Sequence, residues 1–368
     1  LFDGKTALTR PTLGEEQRGM RMLLQCGDAC IALGGEEFTA RPDAVTLRNA
    51  LPDGDAELTL TMDPYESCLC LHIRASCAAE TICPMLSFEP VLSVPKSYYA
   101  HPVFSDLFIE ALYDEDYHIL LFRRRPRSSP AEECWLGAAM LSGSGSYAFL
   151  TQRDALLPLN YGVEELKALC GMSFAGHSRT GACVIPFCAM KKASEIGAGG
   201  RYACDFLLAS GKSRREVCTL IRNAAKRGEK SREPLSDVMR MRLLPVARNL
   251  RALAAVSDED VRCADRLMTA CLRGGFLPHR RQRDLTRMWA LGISGDRILV
   301  VLDLRAGAFT RDGNLRPFSE NLVSLYIRMY RYHLLSSFRY DLILLCHDID
   351  AYANPRKAAL RELVTRCG

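Results

Sequence analysis

From residue 21 to about 208 the apolar residues come in short runs, at 22–24, 44–47, 56–62, 69–73, 107–112, 118–122 and 138–141, each bounded by turn formers. Runs of this length and spacing predict the strands of an antiparallel β-sandwich. Within 57–62, Leu58, Leu60 and Met62 alternate with Thr59 and Thr61, which predicts one buried face and one face in water. Chain reversals are expected at Pro52-Asp53-Gly54, Gly143-Ser144-Gly145 and Gly197-Ala198-Gly199-Gly200, the last leading into a closing strand over 201–208.

After Ser210 the period changes. Ser213 followed by Glu216 forms a capping box that opens a helix to about residue 226. A charged stretch with a proline, 226–234, separates it from helical patterns over 235–253 and 258–272. In the second of these, Val261, Ala264, Leu267, Met268 and Cys271 share one face. The nearly continuous apolar runs 297–304 and 341–346 flank a helical pattern over 318–336, which predicts a βαβ unit with a parallel strand pair. A last helix is expected over 354–366, with Pro355 at its first position. The expected organisation is a multidomain α+β chain: an antiparallel β-sandwich over 1–209, a helical linker over 210–288, and a short βαβ segment over 289–368.

The length, 368 residues, suits two or three cores. Hydrophobic residues at 48% and charged residues at 25% exclude a disordered chain and allow a sizeable core. The net charge of +5, from 48 basic and 43 acidic residues, is too small and dispersed to predict nucleic-acid binding. No run reaches roughly 18 apolar residues and the first residues lack the order of a signal peptide, so a segment without membrane contact is expected, in the cytoplasm, with membrane association of a longer protein left open. The chain begins at Leu1 and stops at Gly368 just after a helical pattern, and is expected to be part of something longer. Sixteen cysteines lie scattered without matched CxxC pairs, so core-filling thiols are expected rather than metal ligands, and neither metal nor cofactor is expected.

Candidate chemistry is sparse. Residues 98–110, with His101, Tyr98, Tyr99, Phe104 and Glu110, together with Glu89, could offer aromatic faces and carboxylates to a sugar; aromatic core packing is the simpler reading. Residues 123–127 concentrate Arg123, Arg124, Arg125 and Arg127, suited to anions, against a loop neutralised by Glu132 and Glu133. Ser210-Gly211-Lys212-Ser213 resembles the tail of a phosphate loop, but Phe206 stands where the first glycine belongs. In 289–296, Trp289, Ser294 and Asp296 could meet a ligand at a tight turn, or the turn could simply lead into the next strand. His347, Asp348 and Asp350 follow the second parallel strand, where α/β sheets place ligands, yet no glycine-rich loop follows the first. No GxSxG motif supports serine hydrolysis.

In order along the chain, the segments 100–108 and 123–128, the strand with Trp135, the segments 149–154 and 285–296 and the strand at 340–345 resemble the carboxyl-terminal region of cyclic β-1,2-glucan synthases and the related glycoside hydrolase family 94 phosphorylases, formerly glycosyltransferase family 36. Arg297 and Ile298 depart from the family's usual Leu-Pro, and Cys346-His347-Asp348 replaces its Asn-Glu pair. The resemblance implies that the sandwich over 1–209 is of the super-sandwich, glycoside-phosphorylase type and that the chain is a non-catalytic part of an enzyme that transfers or phosphorolyses β-glucans. An aspartic acid in a downstream (α/α)₆ barrel would protonate the glycosidic oxygen while inorganic phosphate attacks. No catalytic residue is therefore expected in this chain. Its expected partners are a β-glucan or oligosaccharide and the barrel, with inorganic phosphate in the whole enzyme. The candidate substrate contacts are Trp289, Ser294, Asp296, His101, Arg123 and Arg125. The competing expectations are a stand-alone carbohydrate-binding or scaffold protein, and a phosphate or nucleotide binder acting through the βαβ unit.

Overall fold

The computed structural model describes residues 1–10, 19–126, 133–141, 147–153, 156–158, 160–197, 200–231, 233–274, 286–295, 297–304, 319–346 and 355–367. The chain forms two compact units, Leu1–Phe38 with Asp43–Leu243, and Thr39–Pro42 with Leu244–Gly368.

The first unit is an antiparallel sandwich. One sheet has nine strands in the order Gly181–Ala182, Ile109–Asp114, Ile119–Arg124, Cys134–Leu141, Arg201–Gly211, Cys68–Ser76, Gly54–Met62, Val45–Leu51 and Glu37–Ala40. The other runs Ala148–Gln152, Pro186–Lys191, Thr81–Phe88, Arg21–Cys26 and Ala29–Ala32, with Ser194–Glu195 also paired to Thr81–Phe88. Their facing residues make the main core: Leu58, Leu71, Ile73, Phe122, Leu136 and Phe206 from the first sheet, Leu24, Ile82, Leu86, Phe88 and Met190 from the second. Phe88 and Phe122 meet edge to face across it at 6.0 Å. Two short helices, α1 (Pro95–Ala100) and α2 (Pro102–Asp106), each start on a proline, and lie between the strands Pro90–Ser93 and Ile109–Asp114.

Both outer faces of the sandwich are covered. On the smaller sheet α3 (Val163–Gly171) sets Leu166, Leu169 and Cys170 against Leu23, Met85, Phe187 and Ala189. The buried Lys191 holds the end of this helix: its Nζ donates to the carbonyl oxygens of Cys170 (2.5 Å), Leu169 (3.4 Å) and Met172, and sits over the Phe174 ring. On the larger sheet α4 (Arg214–Lys230) presents Val217, Ile221 and Ala224 to Cys68, Cys70, Leu121, Ala139, Leu207 and Ala209. Leu235 and Met239, from the start of α5 (Leu235–Ala254), join the same cluster. The expected wet face of 57–62 is therefore corrected: Thr59 and Thr61 are buried, and Met62 is instead 49% exposed. Alternation distinguishes two faces but does not reveal that a later helix covers the polar one.

The second unit is helical with one small sheet. Ser257 caps α6 (Asp258–Arg273) by accepting from the Asp260 amide, and Gly274, at φ +75°, closes it in the left-handed conformation. Val261 and Ala264 pack on Met329 and Tyr332 of α8 (Glu320–Leu335), reached after the short turn α7 (Thr286–Trp289). Asp260 also receives two hydrogen bonds from Arg328, at 3.0 and 3.1 Å, which keep its carboxyl below the usual range. Leu299–Asp303 and Asp341–Leu345 pair in parallel around α8, as the two unalternating runs predict. Val323 and Ile327 face Leu360 and Leu363 of α9 (Pro355–Cys367), which starts at Pro355 as expected.

All sixteen cysteines are free thiols, most of them buried. Burial pushes several up, Cys68 and Cys204 to about 12. No helix among the described residues is long and apolar enough to cross a membrane.

Candidate functional site

The arginine run is divided by the pleat of its strand. In Ile119–Arg124 alternate side chains point to opposite faces, so Ile119, Leu121 and Arg123 face the helix-covered side while Leu120, Phe122 and Arg124 face the inter-sheet side. Arg123 stands directly opposite Trp135 on the neighbouring strand, with its guanidinium 5.5 Å from the indole centre, and its Nε lies 2.9 Å from Glu133. Arg124 donates to the Ser105 hydroxyl and carbonyl at 3.0 and 3.2 Å. Arg125 donates to the Leu107 carbonyl at 2.8 Å. Two of these guanidinium groups thus tie the α2 segment to the sheet; Arg127 and Glu132 lie outside the described residues.

Antiparallel pairing brings the ends of four strands together here: Arg124 at the end of one, Cys134 at the start of the next, Ser210 and Gly211 at the end of a third, and Ser67 just before a fourth. They border a cavity of about 760 Å³. Its described lining carries three cations, Arg124, Arg125 and Lys212, three carboxylates, Asp3, Glu133 and Glu216, and the hydroxyls of Thr6, Ser67, Ser93, Ser97 and Ser210. None of the described lining residues is aromatic, so a ligand would be recognised through hydroxyl hydrogen bonds rather than stacking. Lys212 and Ser213 belong to the segment that resembles a phosphate loop. The Glu216 carboxylate already takes the Lys212 amide at 2.8 Å, and Ser213 takes the Glu216 amide at 3.2 Å. The start of α4 thus supplies its own anion where a phosphate would sit.

A second cluster lies beneath α2. Glu89, 7% exposed, accepts from Arg10 at 3.0 Å, Arg153 at 3.4 Å and the Tyr161 hydroxyl at 2.7 Å. Glu89 is therefore a buried internal partner and not a carboxylate presented to a sugar. Arg153 also lies 5.5 Å from the Tyr161 ring centre. Burial, and next the Glu89 charge, push the Asp106 carboxyl up to about 7, against the opposing pull of Arg10, Arg153 and Arg124. Asp106 and Arg153 lie within the segments 98–110 and 149–154, but their juxtaposition with Arg10 and Glu89 is one that no local spacing announces.

The remaining candidates are scattered. His101 sits exposed at the joint of α1 and α2, where its amide donates to Tyr98 and its carbonyl accepts from Ser105. Tyr98 is buried and packs edge to face on Tyr99, as core aromatics do. Trp289, 58% exposed, donates its indole N–H to the Ser294 carbonyl at 3.0 Å. Gly292 and Gly295, at φ +75° and +80°, make the turn that allows this contact. Asp296, His347, Asp348 and Asp350 lie outside the described residues. His101, Arg123 and Arg125 thus belong to the first unit, and Trp289 and Ser294 to the second.

Residues 78–227 match the family model of the glycosyl hydrolase 94 supersandwich domain, a span that includes the strands Thr81–Phe88 and Arg201–Gly211 and most of α4. No curated protein matches the sequence. Among solved structures the chain is similar to a bacterial glucoamylase complexed with acarbose, at 9% identity and a TM-score of 0.42, covering 68% of this chain and 35% of that one. It is also similar to a polysaccharide lyase, at 8% identity and a TM-score of 0.30, covering 55% of this chain and 27% of that one. The chain thus spans about a third of the glucoamylase's length.

Proposed function

We propose that this chain is a non-catalytic part of a carbohydrate-active enzyme that transfers or phosphorolyses β-glucans, of the cyclic β-1,2-glucan synthase kind, and that its sandwich supports or binds the glucan. The match of residues 78–227 to a glycosyl hydrolase 94 supersandwich carries this reading. The hydroxyl- and charge-lined cavity beside Arg125 and Lys212 supports it, because alternating donors and acceptors suit the hydroxyls of a pyranose. The catalytic acid and the inorganic phosphate site belong, in this proposal, to an (α/α)₆ barrel elsewhere in the whole enzyme. The proposed partition keeps a sandwich over 1–209, a linker over 210–288 and a βαβ segment over 289–368.

Calorimetric titration of the chain with β-1,2-gluco-oligosaccharides tests the binding role. Saturable binding is expected, weakened severalfold by Lys212→Ala, an exposed position whose truncation spares the core. Binding of a nucleotide with no response to oligosaccharide would replace the reading with the phosphate or nucleotide alternative.

A further inference from the structure

In the second unit the basic face of α6 forms a hollow that the carbohydrate reading does not use. Arg262, Arg266 and Arg273 stand at i, i+4 and i+11, positions that superimpose on one face of a helix, with Asp265 and Thr269 between them. The opposite face is the apolar one, with Val261, Ala264, Met268 and Cys271 buried. Residues 39–42 complete the hollow. Ala40 is fully buried, its amide donates to the Thr269 hydroxyl at 2.9 Å, and that hydroxyl lies 3.2 Å from the Ala40 carbonyl. This anchor sets Arg41 at the rim, 3.8 Å from Asp265. The hollow is open to solvent, its volume is about 530 Å³, and its described lining carries four guanidinium groups and a single carboxylate.

Within the described lining the cations outnumber the carboxylates. Like charges one turn apart on a helix oppose each other, and only Arg273, in the last turn, gains from the helix dipole. Arg41 is brought to the same place from a distant part of the chain. A convergence of planar, permanently charged forks in a concave site of small-ligand size is the arrangement that recognises phosphate oxygens bidentately. We propose that the hollow bounded by Arg41, Arg262, Arg266 and Arg273 binds a small, multiply charged oxyanion of the phosphate class. The proposal does not depend on whether the first unit binds glucan.

The test is calorimetric titration of the chain with inorganic phosphate, tripolyphosphate and inositol hexakisphosphate at roughly 0.15 M salt. The expected result is saturable one-to-one binding that weakens as salt rises. Arg262→Gln and Arg266→Gln, both at exposed positions, should together lower the affinity by roughly tenfold or more. Arg215→Gln, a loss of one charge at an exposed position of α4, should leave it unchanged. Comparable affinity for all three probes would identify a single phosphoryl group as the ligand; preference for the larger two would identify a polyphosphorylated one. No saturable binding by any probe, or binding equally reduced by Arg215→Gln, would overturn the proposal. Oligosaccharide titration of the Arg262→Gln/Arg266→Gln variant keeps this outcome separate from that of the glucan reading.

Discussion

His333 is fully buried, and its two ring nitrogens define its state. Nε2 lies 3.1 Å from the Ala264 carbonyl, which can only accept, so Nε2 carries the proton. Nδ1, 3.3 Å from the Tyr340 hydroxyl, is left to accept. Burial holds this imidazole down to about 4, whereas in an unfolded chain it titrates near 6.5. Between those values the unfolded chain binds the extra proton. The contribution to stability is therefore complete above pH 6.5 and lost as pH falls toward 4, on the order of 3 kcal/mol at the acid end. Urea unfolding of the chain and of His333→Gln across this range checks it: the variant should lose that part of the pH slope. An unchanged slope would assign the acid sensitivity elsewhere. Residue chemistry also explains the arginine run. Four adjacent guanidinium groups look like one anion site in the sequence, but Arg123, Arg124 and Arg125 reach an indole and carboxylate, a serine, and a backbone carbonyl respectively.

Among elements, α4 shows how much of a packing arrangement is local. Its start is legible, because Ser213 and Glu216 serve the helix end through backbone amides a few residues away. Its docking is not, since that depends on Gly137 in a strand far back in the chain. A Cβ at Gly137 would lie 2.4 Å from Val217 Cγ1 and 2.9 Å from Ile221 Cδ1. Valine in a helix is stiff at χ1 and cannot swing aside cheaply. Gly137→Ala should destabilise the first unit by about 1–3 kcal/mol, as overpacking does. Adding Val217→Ala should recover part of the loss in a double-mutant cycle of melting experiments. Purely additive effects would mean that the helix does not press on this strand. Thr59 and Thr61 are buried as well, although their alternation with leucine reads as a wet face.

For the molecule as a whole, the buried clusters among the described residues fall on one side or the other of the unit boundary: three built from the two sheets with α3, α4 and the start of α5, a small one of Ala7, Val91 and Tyr98, and two from the end of α5, α6, α8, α9 and the parallel pair. Separate cores unfold as separate cooperative blocks. Calorimetric melting should resolve two transitions, with Gly137→Ala lowering one and His333→Gln changing the pH dependence of the other. A single transition shifted by both substitutions would refute this division.

While α1, α2 and α3 lie unannounced within the stretch that reads as strands, the sequence by itself determined many of the element types: the short runs of the sandwich, the capped start of α4, the amphipathic α6, and the parallel pair around α8. Each follows from side-chain period and from hydrogen bonds a few residues apart, and such forces act before distant segments meet. Only the tertiary structure decided which polar residues became interior partners. Glu89 was legible as a carboxylate, but its burial among Arg10, Arg153 and Tyr161 depends on segments far apart in the chain. The same holds for Arg41 beside α6, placed by the Ala40–Thr269 hydrogen bonds. Burial and charge convergence are properties of three-dimensional neighbourhood, and a one-dimensional pattern carries no record of which neighbours will arrive.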